Sequence, residues 1–192
     1  MLLWIISFVN AKYINPPLDQ NVEFRHFVEL IPKVDSQLKE ILTKYNASRV
    51  AIFRVYSDYL DKDFGVEIPG TMTKTSIYSV TADGIVAANG VPIGLQEVTH
   101  LPGATFAPII RFTMNEPSTT LNLITEELPH TALKELFERR NTVESQWVAI
   151  QNPHSHFAGI LQLDWQKRLD PDDVKKISQM LPNDSKSLGR NF

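Results

Sequence analysis

The chain predicts an α+β fold, with a central antiparallel β-sheet flanked by N- and C-terminal helices, and three observations carry that reading. Apolar residues recur at helical spacing near both ends of the sequence. Runs of β-branched and aromatic residues with two-residue alternation occupy the middle. The segments follow one another as helix, strand, turn, strand, irregular insert, strand, helix, hairpin, helix, without the strict strand–helix alternation of a parallel sheet. With 192 residues and 43 % hydrophobic content, the chain is long enough to bury one substantial core.

The first helical pattern runs through Phe24, Phe27, Val28 and Ile31, then Val34, Leu38, Ile41, Leu42 and Tyr45. Pro32 removes a backbone donor, so the spacing predicts either one helix kinked there or two helices with Pro32 opening the second. Asn46 is its expected stop. Residues 48–58, SRVAIFRVYSD, alternate with Val50 and Ile52 on one side and Ala51, Phe53 and Val55 on the other, the pattern of a central strand. Residues 73–84 read as a second strand closed by Asp83-Gly84. The glycine- and proline-rich insert, residues 85–128, predicts loops and short pieces: a helix over 106–114, a strand over 119–128, and His100 in a loop.

Pro129 and Thr131 introduce a helix carrying Leu133, Leu136 and Phe137 on one face, ended by Asn141. Two strands follow, residues 146–151 and 157–165, joined by the connection NPHSH. The last helix has Asp170 as cap, Pro171 in its first turn, Asp172 and Asp173 beside the positive end of its dipole, and Val174, Ile177, Met180 and Leu181 as its apolar stripe. The expected organisation is an apolar segment and proline linker over residues 1–17, one domain over 18–182, and a polar flexible tail over 183–192.

The helix running into SRVAIFRVYSD, the pair LKELFERRNTVESQWVAIQ and above all HFAGILQLDW give this chain its family likeness. Gly159-Ile160-Leu161-Gln162-Leu163-Asp164 matches the G-x-L-x-L-D form of a final hairpin strand, and on these segments the chain resembles a GAF domain, with a PAS-like arrangement as the nearest alternative. The likeness covers residues 18–181. It implies a sheet with one face on the terminal helices and a small-molecule pocket between the other face and the insert. On that strand Leu161 and Leu163 share one side, Gln162 and Asp164 the other. It also implies sensing or ligand binding, or a dimerisation module acting through the terminal helices without a ligand, with a homodimer or protein partner as the recipient of the signal.

Candidate ligand-binding residues on this reading are Tyr78, Phe106, Arg111, Asn122, Gln146 and Trp147. Arg111 stands out because FAPIIRF places one guanidinium in an apolar run, suited to a carboxylate or phosphate, although a surface arginine snorkelling from a short helix has the same pattern. The absence of cysteine excludes disulfides, thiol nucleophiles and covalent bilin attachment within the chain, and no cofactor is predicted. The asparagine–lysine signature of cyclic-nucleotide-binding relatives is not found.

Enzymatic activity is not expected. No G-x-S-x-G element presents a serine, and the adjacent pairs Glu126-Glu127 and Asp172-Asp173 do not converge on a regular element. His154-Ser-His156 supplies two ligands for a metal, which needs more, and Asn-Pro is turn chemistry, so NPHSH reads as a turn and no metal is predicted. Nineteen basic against 22 acidic residues, without a basic stripe, predict no nucleic-acid partner. The run MLLWIISFV is too short to cross a bilayer. It fits the core of a signal peptide, an interfacial anchor with Trp4 and Lys12 at the polar boundary, or an apolar segment docked on the domain or a second copy, so localisation stays open between cytoplasmic and membrane-associated or exported.

Overall fold

The computed structural model describes residues 20–57, 71–82 and 98–191, and side chains over 32–52, 79–82 and 108–191. The membrane contact expected of residues 1–9 lies outside the described residues. Among the described residues, no helix is long and apolar enough to cross a membrane. The chain divides into two units between Val34 and Asp35. The described part of the first is the start of helix α1 (Gln20–Lys44), a single helix with Pro32 inside it.

Asn46 ends α1 as its sequence predicts, taking φ 47° while Ala47 N–H donates to the Leu42 carbonyl at 3.0 Å. This left-handed cap suits asparagine, whose short polar side chain tolerates positive φ. Strands β1 (Arg49–Ser57) and β2 (Thr71–Thr81) follow, then β3 (Val98–Pro102) and α2 (Gly103–Asn115). His100 therefore lies in a strand rather than a loop. VTHLP contains a proline, which the sequence reading took as a loop signal, but β3 is an edge strand, where a missing N–H need cost no ladder bond.

Next come β4 (Leu121–Ile124), a 3-10 turn over Thr125–Glu127, and α3 (Ala132–Arg139), capped by Thr131 and ended by Asn141 at φ 52°. β5 (Glu144–Gln151), β6 (Phe157–Trp165) and α4 (Pro171–Gly189) complete the chain. Among the described residues, six strands lie in the order β3-β2-β1-β6-β5-β4, and every neighbouring pair is antiparallel. β1 and β6 are the two central strands, and residues 50–52 of β1 and 159–165 of β6 are buried on both faces.

Register sorts the residues into two faces. One face holds Val50, Leu163, Gln146 and Asn122 in one row and Ile52, Leu161 and Val148 in the next. The terminal helices cover it: Gln146 Nε2 donates to the Val174 carbonyl at 3.4 Å and Trp165 Nε1 to the Tyr45 carbonyl at 3.2 Å. The opposite face holds Ala51, Trp147 and Ile160, which pack with Ile109 and Ile110 of α2 and Leu133 and Phe137 of α3. The Phe137 and Trp147 rings stack there at 6.3 Å between centroids. β2 carries one extra residue, Ile77, opposite the Ile52–Phe53 step of β1.

The expected tail after residue 182 is instead helix. α4 runs through Pro182 to Gly189, with Leu188 and Gly189 buried, Ser185 Oγ donating to the Ala149 carbonyl and Asn191 Nδ2 to Gln37 Oε1 at 2.7 Å. Pro182 forfeits one ladder bond, and burial of Ile177, Leu181 and Leu188 outweighs it. Asp170 holds the N-cap position but makes no side-chain cap bond; its carbonyl accepts from Val174 N–H at 2.9 Å. At Gly189 an added Cβ would stand 1.9 Å from the Gln151 carbonyl oxygen. Gly189→Ala is therefore expected to pry α4 from β5 and cost about 1–3 kcal/mol, as overpacking of a rigid neighbour does. Chemical denaturation checks it, and an unchanged midpoint contradicts this packing.

A second fastening ties α1 to α4. Tyr45 OH donates to Asp184, whose oxygens also take Lys44 Nζ at 2.7 and 2.9 Å. Burial first, then that hydrogen bond and the nearby carboxylate charge, push the Tyr45 phenol well above its ordinary value. The unfolded chain thus releases this proton near pH 10 while the folded chain holds it. Stability from this group is complete below about pH 10 and falls above it, by about 1.4 kcal/mol per pH unit. Urea midpoints between about pH 9 and 11 are expected to fall less steeply for Tyr45→Phe than for the parent chain.

Candidate functional site

The turn between β5 and β6 settles the role of the two closest histidines. Asn152 Oδ1 accepts from His154 N–H and His156 N–H, both at 3.0 Å, and Ser155 takes φ 63°. Both imidazoles are exposed, with ring centroids 6.3 Å apart. No group of three or more potential metal-ligating side chains is found among the described residues.

The chemistry lies on the sheet face turned away from the terminal helices. There the row Thr81, Arg49, Asp164, Ser145 and Leu123 adjoins the row Ser79, Ala51, Gln162, Trp147 and Leu121. Asp164 is the centre of a network. Its Oδ2 accepts Arg49 Nε at 2.9 Å, and Arg49 Nη2 approaches the same oxygen at 2.6 Å, off the hydrogen-bond axis. Its Oδ1 accepts Ser145 Oγ and Gln162 Nε2, each at 2.6 Å. Ser145 and Gln162 are fully buried, and Asp164 is 2 % exposed.

Two features of this network bear on function. Ser145 Oγ has one proton, directed at a carboxylate or at the Leu163 carbonyl at 3.0 Å, and no histidine stands between serine and aspartate to act as base. Second, Gln162 Oε1 and Thr81 Oγ1 are buried without a hydrogen-bond partner among the described residues, and Arg49 Nη2 is held there only by its ion-pair contact with Asp164. A buried polar atom left this way costs about 1–3 kcal/mol; on the helix-covered face Asn122 Oδ1 and Gln146 Oε1 are left in the same way.

The residues expected from sequence are divided between the two faces. Trp147 lies on the network's face, stacked on Phe137. Gln146 and Asn122 do not: register puts both on the terminal-helix face, where Gln146 bonds α4 and Asn122 Nδ2 donates to the buried carboxylate of Glu144 at 2.8 Å. The physical reason is strand parity, since Gln146 and Trp147 are adjacent and must point to opposite faces. Strand position 78 is registered opposite Ile52, in a terminal-helix row. Arg111 is exposed on α2, the snorkelling arrangement that the apolar run equally allowed. Phe106 lies in α2, with its side chain outside the described residues.

Sequence reasoning missed Arg49, Ser145, Gln162 and Asp164 as a set. The signal was present in part: Gln162 and Asp164 interrupt the apolar alternation of a central strand on one side. What joins them to Arg49, 115 residues away, is the β1–β6 register.

No protein-family model matches the chain, and no curated protein matches it. Solved structures do. The blue-light-absorbing GAF domain of PixJ from Thermosynechococcus elongatus superposes with a TM-score of 0.54 at 11 % identity, over 84 % of this chain and 88 % of that one. A phycocyanobilin-bound GAF domain from a cyanobacterial phytochrome gives 0.52 at 12 % identity, over 92 % and 97 %. The GAF domain region of a Geobacter sulfurreducens protein gives 0.55 at 13 % identity, over 88 % and 95 %. Without a cysteine, this chain has no thioether anchor for a bilin. The antiparallel sheet, the terminal helices on one face, α2 and α3 on the other, and these superpositions identify the fold of this chain as that of a GAF domain.

Proposed function

We propose that this chain is a ligand-binding sensory module of the GAF type, without a chemical step of its own, that receives a small molecule on the sheet face carrying Arg49, Asp164, Ser145 and Gln162. The observation that carries the reading is the buried polar network on that face, with Gln162 Oε1 and Thr81 Oγ1 left unpaired. A face meant only for packing would gain more from apolar side chains, because desolvated polar groups repay their burial only when fully bonded. The bilin-bound and light-absorbing neighbours support a sensory role for the fold, and the missing thiol argues for a ligand held without a covalent bond.

Transmission is proposed to run through the terminal helices to a second copy or a protein partner. α1 and α4 meet through Lys44, Tyr45 and Asp184, and α4 grips β5 next to the network strand β6. A change at β6 therefore has a short path to the helix pair. Native mass spectrometry of the full chain purified under mild conditions tests the reading. The expected result is a retained small molecule that denaturation releases, on a dimer in the ligand-bound state. A chain that carries nothing and gains no thermal stability from any small-molecule panel overturns it.

A further inference from the structure

The network also says what kind of molecule it would accept, an inference that rests on the ligand-binding reading above. Arg49 and Asp164 neutralise one another, so the pair carries no net charge. A carboxylate has about four lone-pair positions, and here three hydrogen bonds and the close ion contact of Arg49 Nη2 surround the two oxygens of Asp164, leaving little room for a further donor. The orientation of the Gln162 amide follows from its partners. Its nitrogen lies 2.6 Å from a carboxylate oxygen, which only a donor tolerates, so its oxygen points away from Asp164.

What remains on offer is therefore one acceptor and donors beside it. Gln162 Oε1, fully buried and unpartnered among the described residues, must receive an N–H or O–H. Arg49 has five N–H groups, and those not turned to Asp164 can donate to an oxygen. Arg49 and Gln162 are diagonal neighbours across the β1–β6 pair, about 7–8 Å apart along the backbone, and both grip the same carboxylate. Small Ala51, the register partner of Gln162, adds no polar group between them.

We infer that this face binds an uncharged ligand through a carboxamide or lactam edge, whose N–H donates to Gln162 Oε1 and whose carbonyl accepts from Arg49. An anionic ligand is disfavoured twice. One of its oxygens would face the Gln162 oxygen, and its charge would draw Arg49 from Asp164, leaving a buried carboxylate uncompensated. A site built to bond an amide N–H rejects the analogue that lacks it, because its own acceptor is then left unpaired.

The test uses matched pairs on the full chain: nicotinamide against nicotinate, and succinimide against succinate, with inorganic phosphate as a further anion. Thermal midpoints and isothermal titration are read for the parent and for Gln162→Met. The amides are expected to raise the midpoint by roughly 3–6 °C at a concentration tenfold above Kd, and the acids to leave it unchanged. Gln162→Met is expected to weaken amide binding by at least about tenfold while the acids remain inert. The comparison of amide with acid on the parent chain needs no variant, so it stands even if Gln162→Met fails to fold. Anions binding in place of amides would overturn the assignment of ligand class while leaving the ligand-binding reading intact. Amide binding that survives in a folded Gln162→Met would likewise remove the assignment. No binding by any member of either set overturns this inference, and retention of some other molecule by the purified chain then separates its failure from that of the sensory reading.

Discussion

Asp164→Ala is expected to cost about 3–5 kcal/mol of unfolding free energy, the loss seen when one partner of a buried ion pair is removed. The magnitude comes from what is stranded. Arg49, whose side chain is 14 % exposed, would keep its charge without its carboxylate, and Ser145 and Gln162 would each lose an acceptor at 2.6 Å. Pairing the change with Arg49→Met is expected to restore part of the loss, since the uncompensated charge is then gone. Denaturant titration of the two single variants and the double variant measures the coupling. Additive losses would mean that the two groups act independently, contrary to the geometry. The outcome also bears on the ligand-binding reading, because a network retained for binding need not be the most stable solution for the fold.

Phe137→Ala is expected to be of similar size, about 3–5 kcal/mol, by a different mechanism. Phe137 is fully buried where α3 meets the sheet, its ring parallel to that of Trp147 within 15°. Removing it leaves a cavity walled by Trp147 and Leu133, members of the same buried cluster, on strand and helix backbones that have little freedom to collapse inward. The ring pair itself is expected to contribute about 0.5–1.5 kcal/mol of this, resolved by a double-mutant cycle with Trp147→Leu. The near-ultraviolet signal of the packed tryptophan should weaken in Phe137→Ala. A loss below about 1 kcal/mol would show that α3 can close over the gap.

How much of this was legible in the sequence depends on the range of the interaction. Local signals read true: Asn46 and Asn141 at positive φ, Thr131 capping α3 and Asn152 bonding its own turn are short-range chemistry, and the chain states them directly. The central placement of β1 followed from its two apolar faces. Tertiary burial overrode the local signals in α4, where Pro182 and a polar composition suggested a frayed end, while Leu188 and Ser185 are held against β5. The polar network is less legible, because the candidates that the sequence offers in the insert and the facing strands stand out one by one, whereas the network depends on strand pairing. Strand parity puts Gln146 and Asn122 on the helix-covered face, Arg111 is exposed on its helix, and the Arg49–Asp164 network is assembled by a pairing no local pattern encodes.

The position of β6 between β1 and β5 has a consequence for how the protein is made. β1 and β2 emerge from the ribosome early and can pair at once, but the strand that covers the other edge of β1 is the last of the six to be synthesised. Until then β1 presents open backbone donors and acceptors, with Val50 and Ile52 on one face, to whatever strand passes. The β5–β6 hairpin, by contrast, closes over five residues and can form quickly once translated. Its docking on β1 both seals that edge and brings Asp164 to Arg49, so assembly of the buried network and protection of the β1 edge are one late event in the life of the nascent chain.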